Sequence, residues 1–198
     1  MITKANRPLR HAISLRLMSS KRPRLVSIEH KDIVDRSSDL RSEIRDAYSS
    51  AGKLNLVVGL GILVVKNIPG YEEARRRLLP LGKELGELPD SGKKKLEAPE
   101  VLYQVGWSHG IEKFKGKPDF LKGSFYANVL FDEYDSPLVD RAHNKWPTES
   151  IPNLEHAFKN LSRLMFNVGG LLSFHIDNYV HSIVPAYELG KLSKIFNL

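Results

Sequence analysis

Residues 59–71 read GLGILVVKNIPGY, a run that contains a predicted strand, a turn and the start of a helix. The apolar, β-branched stretch at residues 56–65 predicts a strand that is buried on both faces. Residues 67–70 contain Asn, Pro and Gly, which are typical of a turn. From Tyr71 onward, apolar residues recur at helical spacing and charged residues fill the other face, which predicts a helix. Pro80 is expected to kink or divide this helix.

The segment before this run predicts a short edge strand at residues 25–28, followed by a helix. Ser38 or Asp39 can cap the start of that helix, and Gly52 is its expected end. Its apolar face is predicted from residues at helical spacing: Leu40, Ile44, Ala47 and Tyr48.

The segment after the run predicts two strands, at residues 103–107 and 124–130, and then an irregular, Asp-rich connection. Pro152 can occupy the first turn of a long helix, whose apolar face runs from residue 154 to about residue 184. Within it, Gly169 and Gly170 predict either a bend or the close approach of another element. The predicted order of helices and strands indicates an α+β fold whose sheet is unfinished. The apolar face of the long helix is predicted from Leu154, Phe158, Leu161, Met165, Val168, Leu172 and Tyr179.

Composition bounds the class of protein. The chain has 198 residues, of which 41% are hydrophobic and 27% are charged, the balance typical of a globular domain with a real core. It has no cysteine, which excludes disulfides, thiolate metal sites and cysteine nucleophiles. No apolar run approaches the length of about 18 residues that a membrane span needs.

The positive charge is concentrated in residues 1–24. The formal net charge is +7, and this segment alone carries seven basic residues and no acid, so residues 25–198 sum to zero. A neutral folded part argues against a nucleic-acid partner. The leader has the composition of an organelle transit peptide, which would place the protein in a mitochondrion or plastid. A disordered basic tail and a start at Met18 are the alternatives, and without a transit peptide a cytoplasmic location is expected.

Several segments resemble the N-terminal region of isopenicillin N synthase-like, 2-oxoglutarate- and Fe(II)-dependent oxygenases, the non-haem dioxygenase N-terminal domain. They are GLGILVVKNIPGY at residues 59–71, YQVGWSHG at 103–110, KGSFYAN at 122–128 and NKWP at 144–147. The helix that ends in Asp46-Ala47-Tyr48 resembles the one that precedes the strand in that family. The resemblance covers about residues 25–190, and residues 53–58 read like an insertion.

The resemblance implies a fold and a chemistry. In that family a jelly roll, or double-stranded β-helix, holds Fe(II) with a His-x-Asp pair and a distant His, the facial triad. An Arg-x-Ser motif binds 2-oxoglutarate, and the substrate is a small organic molecule. These motifs follow the long helix in the family, whereas this sequence ends at Leu198. We therefore expect residues 25–198 to be an α+β oxygenase N-terminal-like domain with the jelly roll largely missing.

On that basis no catalytic, cofactor-binding or metal residue is assigned, and the chain is expected to be inactive by itself. Fe(II) and 2-oxoglutarate are implied only for full-length family members. The alternative is a non-catalytic interaction or scaffold domain, which would self-associate through the exposed edge of its unfinished sheet.

His175-Ile176-Asp177 is formally a His-x-Asp motif, but it falls within the predicted long helix. Two residues apart on a helix are separated by about 200°, so the side chains should diverge. The only later histidine is His181, and no arginine follows Arg163. We therefore predict that His175, His181 and His156 are polar helix positions, with no role in binding iron.

Three other patterns are expected to be structural. His109 is predicted to be an ordinary loop residue. Gly59-Leu60-Gly61 lacks the third glycine of a dinucleotide-binding motif, and it leads into a strand where that motif would open a helix. The aromatic residues at strand spacing are predicted to pack in the core or across strands: Tyr103, Trp107, Phe125 and Tyr126.

Overall fold

The computed structural model describes residues 25–48, 59–132 and 143–196. Five α-helices lie in these residues: α1 His30–Val34, α2 Arg41–Tyr48, α3 Tyr71–Glu87, α4 Asp90–Lys95 and α5 Leu154–Ile183. The strands are β1 Val26–Glu29, β2 Leu63–Lys66, β3 Gly106–His109, β4 Lys113–Phe114, β5 Lys117–Pro118 and β6 Gly123–Tyr126. Short 3₁₀ helices lie at Pro99–Val101, Val129–Asp132 and Ser193–Phe196.

The described strands form three separate two-stranded sheets. β1 pairs in parallel with β2, whereas β3 pairs with β6 and β4 with β5 in antiparallel fashion. The mixture of helices and small sheets is the predicted α+β class. The Gly59-Leu60-Gly61 run precedes β2 and leads into a strand, as predicted, and Gly61 adopts a φ of 69°.

The 30-residue helix α5 organises both main clusters of the core. One cluster joins β1, α1 and α2 to α5 through Ile28, Ile33 and Ile44, against which Leu172 and Ile176 of α5 pack. Ile33 and Ile44 are fully buried, and complete burial of such a side chain contributes about 1.5–3 kcal/mol. The second cluster joins α3, the end of α4 and the start of α5: Leu85, Leu96, Ile151 and Leu154.

The long-helix prediction is confirmed over nearly its full extent, but Pro152 lies before the N-cap residue Asn153, so its predicted place in the first turn is wrong. One position of its predicted apolar face is wrong, because Met165 is 58% exposed. Of the two roles predicted for Gly169 and Gly170, the structure supports close approach. A Cβ at either glycine would lie 3.0–3.1 Å from Phe196 of the C-terminal 3₁₀ helix.

The predicted strand at residues 56–65 is wrong in length and burial. β2 begins at Leu63, and residues 56–58 lie outside the described part of the chain. Its side chains are only partly buried and Ile62 before it is 56% exposed. The physical reason is that β2 belongs to a two-stranded sheet, with α-helices packed on one face through Leu63 and Val65.

Helix α2 is confirmed, with Asp39 at its start. Asp39 Oδ1 accepts a hydrogen bond at 3.2 Å from the backbone N–H of Arg41, and its carboxylate also meets the Arg41 guanidinium at 2.6–2.7 Å. These bonds lower the pKa of Asp39 to about 2. Tyr48 is exposed, so its predicted place on the buried face is wrong. Gly52, the predicted end of the helix, lies outside the described residues.

The remaining predictions hold in part. Helix α3 runs through Pro80 without division, and Pro80 lies on its exposed side. The strand predicted at residues 103–107 begins three residues later, because Leu102 and Tyr103 adopt left-handed conformations in a turn. β6 stops at Tyr126 and is followed by a 3₁₀ helix, so the strand predicted to residue 130 is too long. Helix α1 and the β4–β5 hairpin were not predicted.

No helix among the described residues combines the length and the apolar character that crossing a bilayer requires.

Candidate functional site

His175 and Asp177 lie in the C-terminal half of α5, and both are buried. His175 is 4% exposed and Asp177 is 1% exposed, which is unusual for ionisable side chains. Buried polar groups need hydrogen-bond partners, and each of these two has its own. Their partners lie on different elements, so the two side chains have separate roles.

The His175 imidazole closes the end of α1. Its Nε2 lies 3.1 Å from the carbonyl oxygen of Ile33, in the last turn of α1. Because a carbonyl oxygen can only accept, Nε2 carries the proton and donates. The last carbonyls of a helix have no partner within the helix, and His175 satisfies one of them. The Phe174 ring packs edge-on against the imidazole with 5.2 Å between centroids.

The Asp177 carboxylate holds the segment that follows α5. Its Oδ1 accepts hydrogen bonds from the Tyr187 hydroxyl and from the Leu192 backbone N–H at 3.0 Å. Its Oδ2 accepts two more from Ser193, from the backbone N–H at 2.9 Å and from the hydroxyl at 2.8 Å. Each oxygen therefore receives two donors, which accounts for the usual capacity of an ionised carboxylate.

The electrostatics of Asp177 fit this arrangement. Burial favours the neutral acid and raises its pKa, but the bonds from Tyr187, Ser193 and Leu192 more than offset burial, and the pKa of Asp177 is lowered below its usual value. The hydrogen bond between Tyr187 and Asp177 also raises the pKa of the Tyr187 hydroxyl, because the hydroxyl donates its proton to the carboxylate. Asp177 is therefore an ionised buried anchor in the folded state.

His181 supports the same segment from one turn further along α5. Its Nδ1 lies 2.9 Å from the Tyr187 carbonyl oxygen, and it donates for the same reason as His175. Tyr187 is thus held to α5 by its hydroxyl and by its backbone. His156, near the start of α5, is exposed.

The geometry confirms that His175 and Asp177 diverge. His175 faces α1, and Asp177 faces the C-terminal segment, as expected for positions two residues apart on a helix. Binding one metal with both side chains would require breaking up to five hydrogen bonds and unwinding α5. Within residues 25–48, 59–132 and 143–196, no group of three or more His, Asp or Glu side chains is placed to hold a metal ion.

His109 lies in a different place from the one predicted. It is the last residue of β3 rather than a loop residue, because residues 102–105 form the turn and the strand starts later. Its Nε2 donates to the Phe120 carbonyl oxygen at 3.0 Å, and the Phe120 ring packs edge-on at 5.5 Å. The imidazole is exposed and anchors the chain after the β4–β5 hairpin.

The aromatic residues at strand spacing pack as predicted for Trp107 and Phe125. These two are directly opposite each other in the β3–β6 register, and both pack on the second core cluster. Phe125 also contacts Trp146 and Phe158, with ring centroids 5.8 and 6.1 Å away. Tyr103 lies in the turn before β3, so its predicted strand position is wrong. Tyr126 is exposed and lies opposite Gly106, so its predicted packing is also wrong.

Sequence reasoning missed the partners of Asp177. A signal was present, since an aspartate on the apolar part of a helix requires donors, and Tyr187 and Ser193 follow within 16 residues. It also missed Arg36, whose guanidinium lies over the Phe174 ring at 5.0 Å from the centroid. Nothing in the local sequence of Arg36 indicates that contact, because Phe174 is far away along the chain.

Comparison with known proteins adds no family assignment. No protein-family model, no curated protein and no solved structure matches this chain.

Proposed function

We propose that residues 25–196 form the N-terminal region of an isopenicillin N synthase-like oxygenase and that this region contributes no iron ligand. The segments quoted above support the family, and the α+β fold is compatible with the layer that precedes the jelly roll. Fe(II) and 2-oxoglutarate would supply the oxidising chemistry on a small organic substrate in a complete member. The role of this region would be to support that catalytic domain.

One observation carries the second half of the proposal. The His-x-Asp motif at His175 and Asp177 has its carboxylate saturated by four hydrogen bonds and its imidazole bonded to α1. The other such pair in the described residues, His30 and Asp32, lies on helix α1, where side chains two positions apart also diverge. Displacing donors from a buried carboxylate costs about 1–3 kcal/mol for each group left without a partner. The described residues therefore do not fit a facial triad.

The test is turnover of 2-oxoglutarate by the purified chain. With Fe(II), ascorbate and dioxygen, we expect succinate to form no faster than in buffer containing the same iron without protein. A conservative variant, His175→Gln, should give the same background rate. Protein-dependent succinate that disappears in His175→Gln would show that the motif binds iron, and the proposal would be rejected.

A non-catalytic interaction module is the second candidate, and the unpaired strand edges favour it. Each described sheet contains only two strands, so within the described residues each strand has one edge with no partner strand. The residues that lead into β2 are apolar and exposed, with Leu60 at 45% and Ile62 at 56%. Such an edge is a template for strand addition by a second copy or by another protein.

Light scattering during size-exclusion chromatography tests this candidate. A self-associating module should have a mass that rises with concentration, and Ile62→Lys should restore the monomer because a charge beside β2 opposes pairing. Leu79→Lys is the matched control, since Leu79 is equally exposed but lies on α3. A monomer at every concentration, or the same loss of association with both variants, would count against association through this edge.

A further inference from the structure

A pocket of about 290 Å³ lies between the end of α1, the middle of α5 and the C-terminal 3₁₀ helix. Its apolar lining includes Ile33, Leu171 and three phenylalanines, Phe166, Phe174 and Phe196. The Phe166 and Phe196 rings contact each other with centroids 5.0 Å apart. This volume is near the lower end of the range of small-molecule sites, roughly 300–1,000 Å³, and the mostly apolar lining is typical of them.

Two glycines of α5, Gly169 and Gly170, shape the wall of this pocket. Gly170 lines the pocket, and a Cβ there would lie 3.1 Å from Phe196 Cβ, tighter than ordinary van der Waals contact. The absence of side chains at Gly169 and Gly170 lets Phe196 lie directly against α5. The pocket therefore depends on the C-terminal segment that Asp177 holds in place.

A cation, the Arg36 guanidinium, lies at the pocket. Arg36 lines the pocket, and its guanidinium stacks on the Phe174 ring. The adjacent acid, Asp35, accepts hydrogen bonds from the backbone N–H and hydroxyl of Ser37, at 2.9 and 2.6 Å. In the part of the chain that the structure describes, no carboxylate forms an ion pair with Arg36. Its planar fork of donors matches the two oxygens of a carboxylate.

Asn167 also lines the pocket, and it is a second polar residue beside the apolar rings. A few polar groups on an otherwise apolar wall fix the orientation of a ligand, while the apolar area supplies most of the affinity. Here the polar groups are one cation and one amide. They select a ligand that has an anionic end and a compact apolar body.

We propose that this pocket binds a small aromatic monocarboxylate, with its ring among Phe166, Phe174 and Phe196 and its carboxylate on the Arg36 guanidinium. The stacking of Arg36 on Phe174 orients the fork before the ligand arrives, which lowers the entropic cost of binding. This inference is independent of the oxygenase proposal, because it involves no metal and gives His175 and Asp177 no contact with the ligand.

The test compares two probes of the same shape, 3-phenylpropionate and its neutral amide, 3-phenylpropanamide. Both are titrated into the full chain while methyl signals are followed by NMR. The carboxylate should shift the Ile33 and Leu171 methyl signals and should bind about tenfold or more tightly than the amide, as expected for a charge-assisted contact. The Leu78 methyls, on α3 and outside the pocket, should not shift.

Variants then assign the charge. Arg36→Gln should lower the affinity for the carboxylate by about tenfold and leave the affinity for the amide unchanged. Arg36→Lys should lower the affinity for the carboxylate by less, because it keeps the charge. Arg45→Gln, an exposed arginine on α2, is the matched control and should bind like the parent chain. The comparison of the two probes uses only the parent chain, so it tests the proposal even if a variant does not fold. Equal affinities for the two probes, shifts outside the pocket, or no saturable binding at millimolar concentration would each overturn the proposal.

Discussion

Replacing Asp177 with asparagine is expected to lower the free energy of unfolding by about 3 kcal/mol. The asparagine oxygen can still accept two hydrogen bonds, but the amide nitrogen can only donate. The amide nitrogen would face either the Tyr187 hydroxyl and the Leu192 N–H, or the hydroxyl and the N–H of Ser193. The hydroxyl can turn to accept from it, but the backbone N–H on that side is left buried against another donor. Urea unfolding followed by circular dichroism measures the change.

Glu188→Gln is the control for this experiment. Glu188 forms an ion pair with Lys194 in the same segment, and both side chains are exposed. Surface pairs of this kind contribute about 0–1 kcal/mol, so Glu188→Gln should lower the free energy of unfolding much less than Asp177→Asn does. Equal losses in the two variants would mean that Asp177 is not the anchor of the segment.

The pH dependence of stability gives an internal check on the same variant. Because folding lowers the pKa of Asp177, its contribution is fully present above its unfolded value of 3.8 and is lost as the pH falls through the lower folded value. The parent chain should therefore lose more stability on acidification below about pH 4 than Asp177→Asn does. Parallel acid curves for the two proteins would contradict the assignment.

Replacing Gly106 with alanine is expected to destabilise the chain by about 3 kcal/mol or more. Gly106 begins β3 with a φ of 79°, and a Cβ there would lie 1.9 Å from the carbonyl oxygen of Leu96. That oxygen also accepts a hydrogen bond at 2.9 Å from the Trp107 backbone N–H, so the two segments cannot separate without losing it. Thermal or urea unfolding measures the loss.

Gly116→Ala separates the clash from the backbone strain. Gly116 lies in the turn between β4 and β5 with the same φ of 79°, but nothing lies within 4 Å of a Cβ built there. Gly116→Ala should therefore lower the free energy of unfolding only by the cost of a left-handed conformation, about 1–2 kcal/mol. If both variants were equally destabilised, the close approach of Leu96 would not explain the requirement for glycine.

The sequence predicted the helices better than the strands, for a physical reason. Helix α5 has an apolar face that repeats at 3.6 residues, and this signal is local and long. The strand predicted at residues 56–65 is much longer than the four-residue β2, because an apolar run cannot show where its partner strand ends. The shift of β3 has a similar origin, since left-handed Leu102 and Tyr103 are not glycines and give no turn signal.

The divergence of His175 and Asp177 followed from helical geometry alone. Their partners did not, because the Ile33 carbonyl is 142 residues from His175 along the chain. Burial of Asp177 depends on how the segment after α5 folds back, which no local pattern specifies. The pocket at Arg36 has the same origin, since it brings together residues from both ends of the described chain.

Amide hydrogen exchange at Leu192 and Ser193 tests most directly whether Asp177 acts as a structural anchor. In the parent chain both amides donate to the Asp177 carboxylate, so they should exchange slowly. In Asp177→Asn at least one of them should exchange at the rate of an unprotected amide, while amides in the middle of α5 stay protected. Rapid exchange at both positions in the parent chain, or unchanged protection in the variant, would contradict the account.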